Sequence, residues 1–149
     1  MKSGNASGGN SPEVRTERMK TVLREAGLRA TLPRLAVLRR LEDAEAPLSH
    51  GDLADELVPL GFDRATVYRN LNDLVDSGLA SRVDLGDHVW RFEVQVVGGR
   101  QAEDHPHFLC NDCGEVVCLP EVEIPLPTRA TRPIADIENV VLRGRCSSC

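Results

Sequence analysis

The stretch His105-Pro106-His107-Phe108-Leu109-Cys110-Asn111-Asp112-Cys113-Gly114 decides how the rest of the chain is read. Two histidines two residues apart lead straight into a Cys-x-x-Cys that ends on glycine. If residues 105–109 are extended, both imidazoles leave the same face of a strand, because side chains alternate with period 2. The cysteines then fall on the following turn. Gly114 can adopt positive φ there, which turns backbone amides toward thiolate sulfurs. One short segment therefore offers two donor sets. The sulfur set needs partners, and Cys146-Ser147-Ser148-Cys149 supplies them at the end of the sequence.

Two Cys-x-x-Cys pairs separated by 32 residues can close a tetrahedral thiolate site, for which zinc is the usual occupant. Sulfur at all four positions leaves no place for water or substrate, so Cys110, Cys113, Cys146 and Cys149 are expected to form a structural zinc site. Reduced free thiols or a redox pair are the alternatives. His105, His107 and the odd cysteine Cys118 suggest a second, mixed nitrogen and sulfur site. Glu93 is its candidate fourth ligand and would join two domains. His88 is a weaker candidate, expected on the opposite face of its strand from Glu93, and His50 is expected to be solvated. A buried strand cysteine is the plain alternative for Cys118.

The totals set limits on this reading. With 149 residues, 41% of them hydrophobic and only five aromatics, the chain suits one or two small domains, the second with a thin core that a metal would staple. No run approaches the roughly 20 apolar residues that cross a bilayer. The first ten residues are polar and glycine-rich, unlike a secretion signal. A disordered tail is expected over residues 1–12 and a cytoplasmic location follows, where thiols stay reduced. Net charge is −5, but its distribution is uneven. Residues 13–40 hold eight Lys/Arg against three Glu, whereas residues 41–149 hold nine Arg against twenty Asp/Glu. A basic face on an acidic body suits contact with a polyanion.

Hydrophobic periodicity predicts a helix over residues 13–26, with Val14, Met19, Val22, Leu23 and Ala26 on one stripe. Thr31 can cap a second helix that faces Leu35, Val37, Leu38 and Leu41 inward. Ser49 and Asp52 form a capping-box pattern ahead of a short third helix. Asp63 caps a fourth, residues 64–77, with Val67, Leu71, Leu74 and Val75 buried. Two β-rich runs, residues 80–85 and 89–96, meet around Gly86-Asp87 as a hairpin. Helices followed by a hairpin are the order of a winged helix-turn-helix, with the third or fourth helix reading DNA. In that fourth helix Arg64, Thr66, Tyr68 and Arg69 carry groups suited to base edges and phosphates. The glycine-rich break at 97–104 is read as a hinge. It separates a winged-helix DNA-binding domain, 13–96, from a zinc-binding domain, 105–149. Short strands are expected over residues 108–109, 115–119 and 137–142. Four prolines between residues 120 and 133 argue against a helix there.

Four blocks together resemble the ferric uptake regulator family: Gly27-Leu28-Arg29-Ala30-Thr31-Leu32-Pro33-Arg34, Ala65-Thr66-Val67-Tyr68-Arg69-Asn70-Leu71, the 105–114 stretch and Cys146–Cys149. The resemblance implies an α+β fold, an amino-terminal winged helix-turn-helix followed by a small α/β dimerisation domain with a structural four-cysteine zinc site. It implies a homodimer on double-stranded operator DNA, with Tyr68 and Arg69 contacting DNA and Arg29 reaching the minor groove. Glu93, His105, His107 and Cys118 fall where the family keeps interdomain sensing ligands, usually with a carboxylate in place of Cys118. Pro106, Pro125 and Glu138 stand where the family often carries a further metal cluster, and Pro47 where an interdomain histidine is expected.

The function expected is therefore a metal-dependent transcriptional repressor of metal-homeostasis genes. No catalytic constellation, small organic substrate or membrane partner is expected. A thiolate in the sensing site favours zinc over iron as co-repressor. The alternatives are a structural-zinc interaction protein that senses nothing, and an iron- or peroxide-responsive regulator.

Overall fold

The computed structural model describes residues 11–95, 105–124 and 139–149. The hinge expected at 97–104, most of the proline-rich stretch and the start of the strand expected at 137–142 lie outside them. The described elements are α1 (Pro12–Glu25), α2 (Leu32–Asp43), β1 (Leu48–Ser49), α3 (His50–Leu57), α4 (Arg64–Asp76), β2 (Ala80–Asp84), β3 (Trp90–Val94), β4 (His107–Cys110), β5 (Val116–Cys118) and β6 (Val141–Gly144). They form two three-stranded sheets, ordered β1-β3-β2 and β5-β4-β6.

Each amino-terminal helix starts where local chemistry allows it. Ser11 accepts from the amide of Val14 ahead of α1. Ser49 and Asp52 cap α3 reciprocally, as the sequence predicts. Asp63 accepts from Thr66 at the start of α4. Thr31 is a correction: it precedes α2 in extended conformation, yet its side chain makes no capping bond. Pro33 already removes one orphan amide from that first turn, which lessens the need for a cap. Val14 is a second correction, half-exposed because α1 meets its neighbours only further along, at Met19 and Leu23.

The core of the amino-terminal unit gathers Met19, Leu23, Val37, Leu38, Leu41, Leu53, Leu57, Val67, Leu71, Leu74, Ala80 and Phe92. Four helices and one face of the hairpin thus share one apolar interior. The hairpin gains a third strand that the sequence pattern does not suggest, since Leu48 pairs with Phe92 and Ser49 with Arg91 over only two residues. The hairpin strands end earlier than the β-rich runs, leaving 85–89 as a loop. His88 is corrected accordingly: it lies in that loop at φ +63°, and not on a strand.

The carboxy-terminal sheet pairs β4 antiparallel with β5 and parallel with β6. Its apolar contribution is small. Leu109, with Val116 and Val141 beside it, packs against Val83 and Leu85 of the hairpin. Arg143 on β6 donates to the carbonyl of Leu85 at 2.6 Å. Next to it, Gly86 turns at φ +78°, left-handed backbone that favours glycine, and a Cβ there would displace the Arg143 guanidinium.

Candidate metal centres and nucleic-acid interface

The first constellation is built by strand pairing. β4 ends on Cys110, and the turn after it closes with the amide of Gly114 donating to the Cys110 carbonyl at 3.0 Å. Gly114 has φ +74°, the left-handed conformation that glycine tolerates. Parallel pairing sets Cys110 opposite Gly144, and the amide of Asn111 donates to the Gly144 carbonyl at 2.8 Å. That register delivers Cys146 and Cys149 to the turn. Sulfur separations are 3.8 Å for Cys110–Cys149, 3.7 Å for Cys113–Cys146 and 3.5 Å for Cys146–Cys149. A zinc ion with Zn–S bonds of about 2.3 Å in tetrahedral geometry needs sulfur edges of about 3.8 Å. The residues fit that ion.

Electrostatics agree. Amides of Cys113 and Cys146 aim at Cys110 and pull its thiol down to about 6, so one sulfur is readily a thiolate. Its neighbours suffer from the crowding: hydrogen bonding among the thiols pushes Cys149 up to about 12. Four sulfurs this close cannot all ionise without a cation between them, which is the donor chemistry of a closed structural site.

The second constellation joins His105, His107 and Cys118, whose ligand atoms all lie within 4.8 Å of one another. His107 and Cys118 are direct partners in the β4–β5 register, and His105 sits two residues earlier. The two imidazole centroids are 4.7 Å apart. His107 is buried, and neither of its ring nitrogens finds a well-formed hydrogen bond, a costly state for an imidazole. Glu93 reaches across from β3, its Oε2 3.6 Å from His107 Nε2. Cys118 first and Glu93 second push the His107 pKa up to about 9. Such a pocket attracts positive charge, and a divalent ion would take one of the two His107 ring nitrogens. Neither His88 nor Glu93 is within this group of three, and Glu93 adjoins it through its approach to His107.

The face of α4 carries the third set. Val67, Asn70, Leu71 and Leu74 point inward. Arg64, Tyr68 and Arg69 are exposed, with Tyr68 at 48%. Thr66 spends its hydroxyl proton on Asp63 at 2.8 Å. Arg64 pairs with Asp55 of α3 at 2.8 Å, where both side chains remain largely in water. Arg29 lies on the loop before α2, and its carbonyl accepts from Arg34, which also pairs with Asp73 of α4.

The basic amino-terminal stretch is less free than its charge count suggests. Glu42 takes up Arg15 and Arg18, while Glu56 takes up Arg40. His50 is not simply solvated either. Its Nε2 lies 3.0 Å from the Arg64 carbonyl, and its ring meets Tyr68 edge to face. No local sequence signal links His50 to Tyr68, because the contact spans two helices.

The sequence profile of the ferric uptake regulator family matches residues 25–137. This chain belongs to the ferric uptake regulator family. The ferric uptake regulation protein of Vibrio parahaemolyticus is 35% identical over 137 residues, covering 84% of this chain and 85% of that protein. Among solved structures, the Vibrio cholerae ferric uptake regulator superposes with a TM-score of 0.63 at 29% identity, covering 86% of this chain and 99% of that one. A zinc uptake regulator complexed with zinc and DNA shares the fold, with a TM-score of 0.56 at 19% identity over 94% of this chain and 95% of that one. The family consists of metal-responsive transcription regulators, and the mixed fold described above is theirs. No helix among the described residues is long and apolar enough to cross a membrane.

Proposed function

We propose that this protein is a cytoplasmic, homodimeric repressor that binds operator DNA when a divalent metal occupies the His105, His107 and Cys118 site. One observation carries the reading: Glu93 of the winged unit stands 3.6 Å from His107 of the carboxy-terminal sheet. Ligands for one ion would thus come from both units. Cys110, Cys113, Cys146 and Cys149 hold a structural zinc. A regulator and not an enzyme is the reading that membership of a family of transcription regulators supports.

His105, His107 and Cys118, with Glu93 beside them, would hold the ion, which would supply positive charge between the two units. The chain's own residues do the rest. Glu93 ties β3 to β4, which favours one relative arrangement of winged unit and sheet over others. Tyr68, Arg69, Arg64 and Thr66 on α4 then meet the major groove, and Arg29 the adjacent minor groove. Two such faces in a dimer read half-sites about one helical turn apart.

Zinc is favoured as co-repressor, because Cys118 brings a thiolate where harder ligands would suit iron. Iron remains the second reading, supported by similarity to ferric uptake regulation proteins such as that of Vibrio parahaemolyticus. The experiment is a mobility-shift titration on duplexes selected from a random pool, with Zn²⁺, Fe²⁺ or chelator. Zinc activation at lower free metal than iron supports the proposal. Activation by Fe²⁺ alone would remove the zinc assignment, and metal-independent binding would remove sensing altogether.

A further inference from the structure

We propose that His50 is a positioning residue that presets the Tyr68 ring for sequence readout. This rests on the reading of α4 as the DNA-contacting helix. The capping box of Ser49 and Asp52 fixes the first turn of α3, so the His50 backbone is held where the two helices approach each other. From there the imidazole makes two contacts with α4. Its Nε2 donates to the Arg64 carbonyl at 3.0 Å. Its ring stands at 66° to the Tyr68 ring, with centroids 5.3 Å apart, the edge-to-face arrangement that aromatic rings prefer.

These contacts converge on one turn of helix. In an α-helix the carbonyl of residue 64 faces the amide of residue 68. His50 therefore grips the backbone of the turn that projects Tyr68 and the side chain itself. Asp55, farther along α3, holds the side chain of Arg64 in the same turn. α3 is thus a brace for the reading surface as well as a packing partner of it.

Tyr68 needs such a brace. It is 48% exposed and lies outside the buried stripe of α4. An exposed aromatic that samples several rotamers must be ordered when it meets a base, and that ordering subtracts from affinity. The His50 ring removes part of that loss in the free protein. The benefit appears only for sequences whose bases Tyr68 touches, so His50 acts on discrimination more than on general attraction to phosphates.

The chain's one tyrosine makes the idea directly observable, because every tyrosine ring signal in an NMR spectrum belongs to Tyr68. In the metal-loaded protein, His50→Ala should shift those ring-proton signals and sharpen them toward a rotamer average. Binding is then measured on the duplex that wild type selects from a random pool, and on an unselected duplex of equal length. His50→Ala should weaken the selected duplex about three- to tenfold. The unselected duplex and the slope of affinity against salt should stay as in wild type. His50→Phe, which keeps the ring edge but loses the Nε2 donor, should recover part of the discrimination. In a Tyr68→Ala background, His50→Ala should have no further effect. An equal loss on both duplexes with a flatter salt slope would instead make His50 a phosphate contact and overturn the proposal. So would unchanged tyrosine signals, or a Tyr68→Ala protein that discriminates like wild type. The reading of the protein as a metal-dependent DNA binder is tested separately by wild type alone with and without metal, and its failure there would take this proposal with it.

Discussion

The two units of this chain are held together by different physics. The amino-terminal unit buries a cluster of leucines, valines, Met19 and Phe92 under four helices and a hairpin. Among the described residues, the carboxy-terminal sheet contributes Leu109, with Val116 and Val141 beside it, and packs it against Val83 and Leu85 of the hairpin. Its described residues are rich in potential metal donors, and Cys110 and His107 are buried among them. A small sheet without enough apolar area is stabilised by ligand bonds, and structural zinc supplies on the order of 10 kcal/mol in zinc-dependent modules. The same sheet presents both groups of potential ligands, the four cysteines and the set of His105, His107 and Cys118.

This contrast can be broken most severely at the four cysteines. Cys113→Ser should abolish the cooperative fold of the carboxy-terminal unit while α1–α4 keep their helical circular dichroism and their own melting transition. Zinc content measured alongside should fall by one ion per chain. A Cys113→Ser protein with the melting profile and zinc content of wild type would mean that the sheet does not rest on that site.

The reciprocal change is made in the apolar core. Leu71 is fully buried beneath α4, and Leu71→Ala should cost the winged unit about 3 kcal/mol. Denaturant unfolding followed at the helical signal measures it. Zinc retention by the four cysteines should be unchanged, because among the described residues no thiol belongs to Leu71's cluster. Loss of zinc at the same denaturant concentration would show that the two units unfold as one.

A smaller effect concerns the start of α4. The Thr66 amide and hydroxyl hold the Asp63 carboxylate below its ordinary value of 3.8. A depressed folded-state pKa contributes stability above that ordinary value and loses it as pH falls through the lower, folded one. Acidification should therefore fray the first turn of α4, seen as faster amide exchange at Thr66. Asp63→Asn, which still caps but does not titrate, should remove that pH dependence.

How much of this is legible in the sequence follows the same division. In the winged unit, periodicity and capping residues locate α1, α3, α4 and the hairpin, because local rules suffice when a helix buries one stripe. They miss β1, two residues long, which exists only because Phe92 and Arg91 lie alongside it. They also misplace Val14, whose position on the stripe says nothing about how far the neighbouring helices extend. In the sheet, spacing identifies all four cysteines as one ligand set. The pairing of His107 with Cys118 is a register fact, and no spacing rule fixes it. Glu93 stands out by the family resemblance and its place at the hairpin end, while its approach to His107 is a tertiary contact. The contacts of His50 and Arg34 with α4 leave no trace in local pattern, since each joins elements that the sequence separates.

The central claim is that one ion at His105, His107, Cys118 and Glu93 couples the two units to DNA binding. Its most direct test is a metal titration of protein already loaded at the four-cysteine site, with affinity for the selected duplex and bound metal measured together. A second ion per chain should switch binding on. Cys118→Ala and Glu93→Gln should each raise the metal concentration required while retaining the first zinc. If both variants respond at the same free metal as wild type, or if full DNA affinity is reached with one ion per chain, the coupling site has been assigned to the wrong residues.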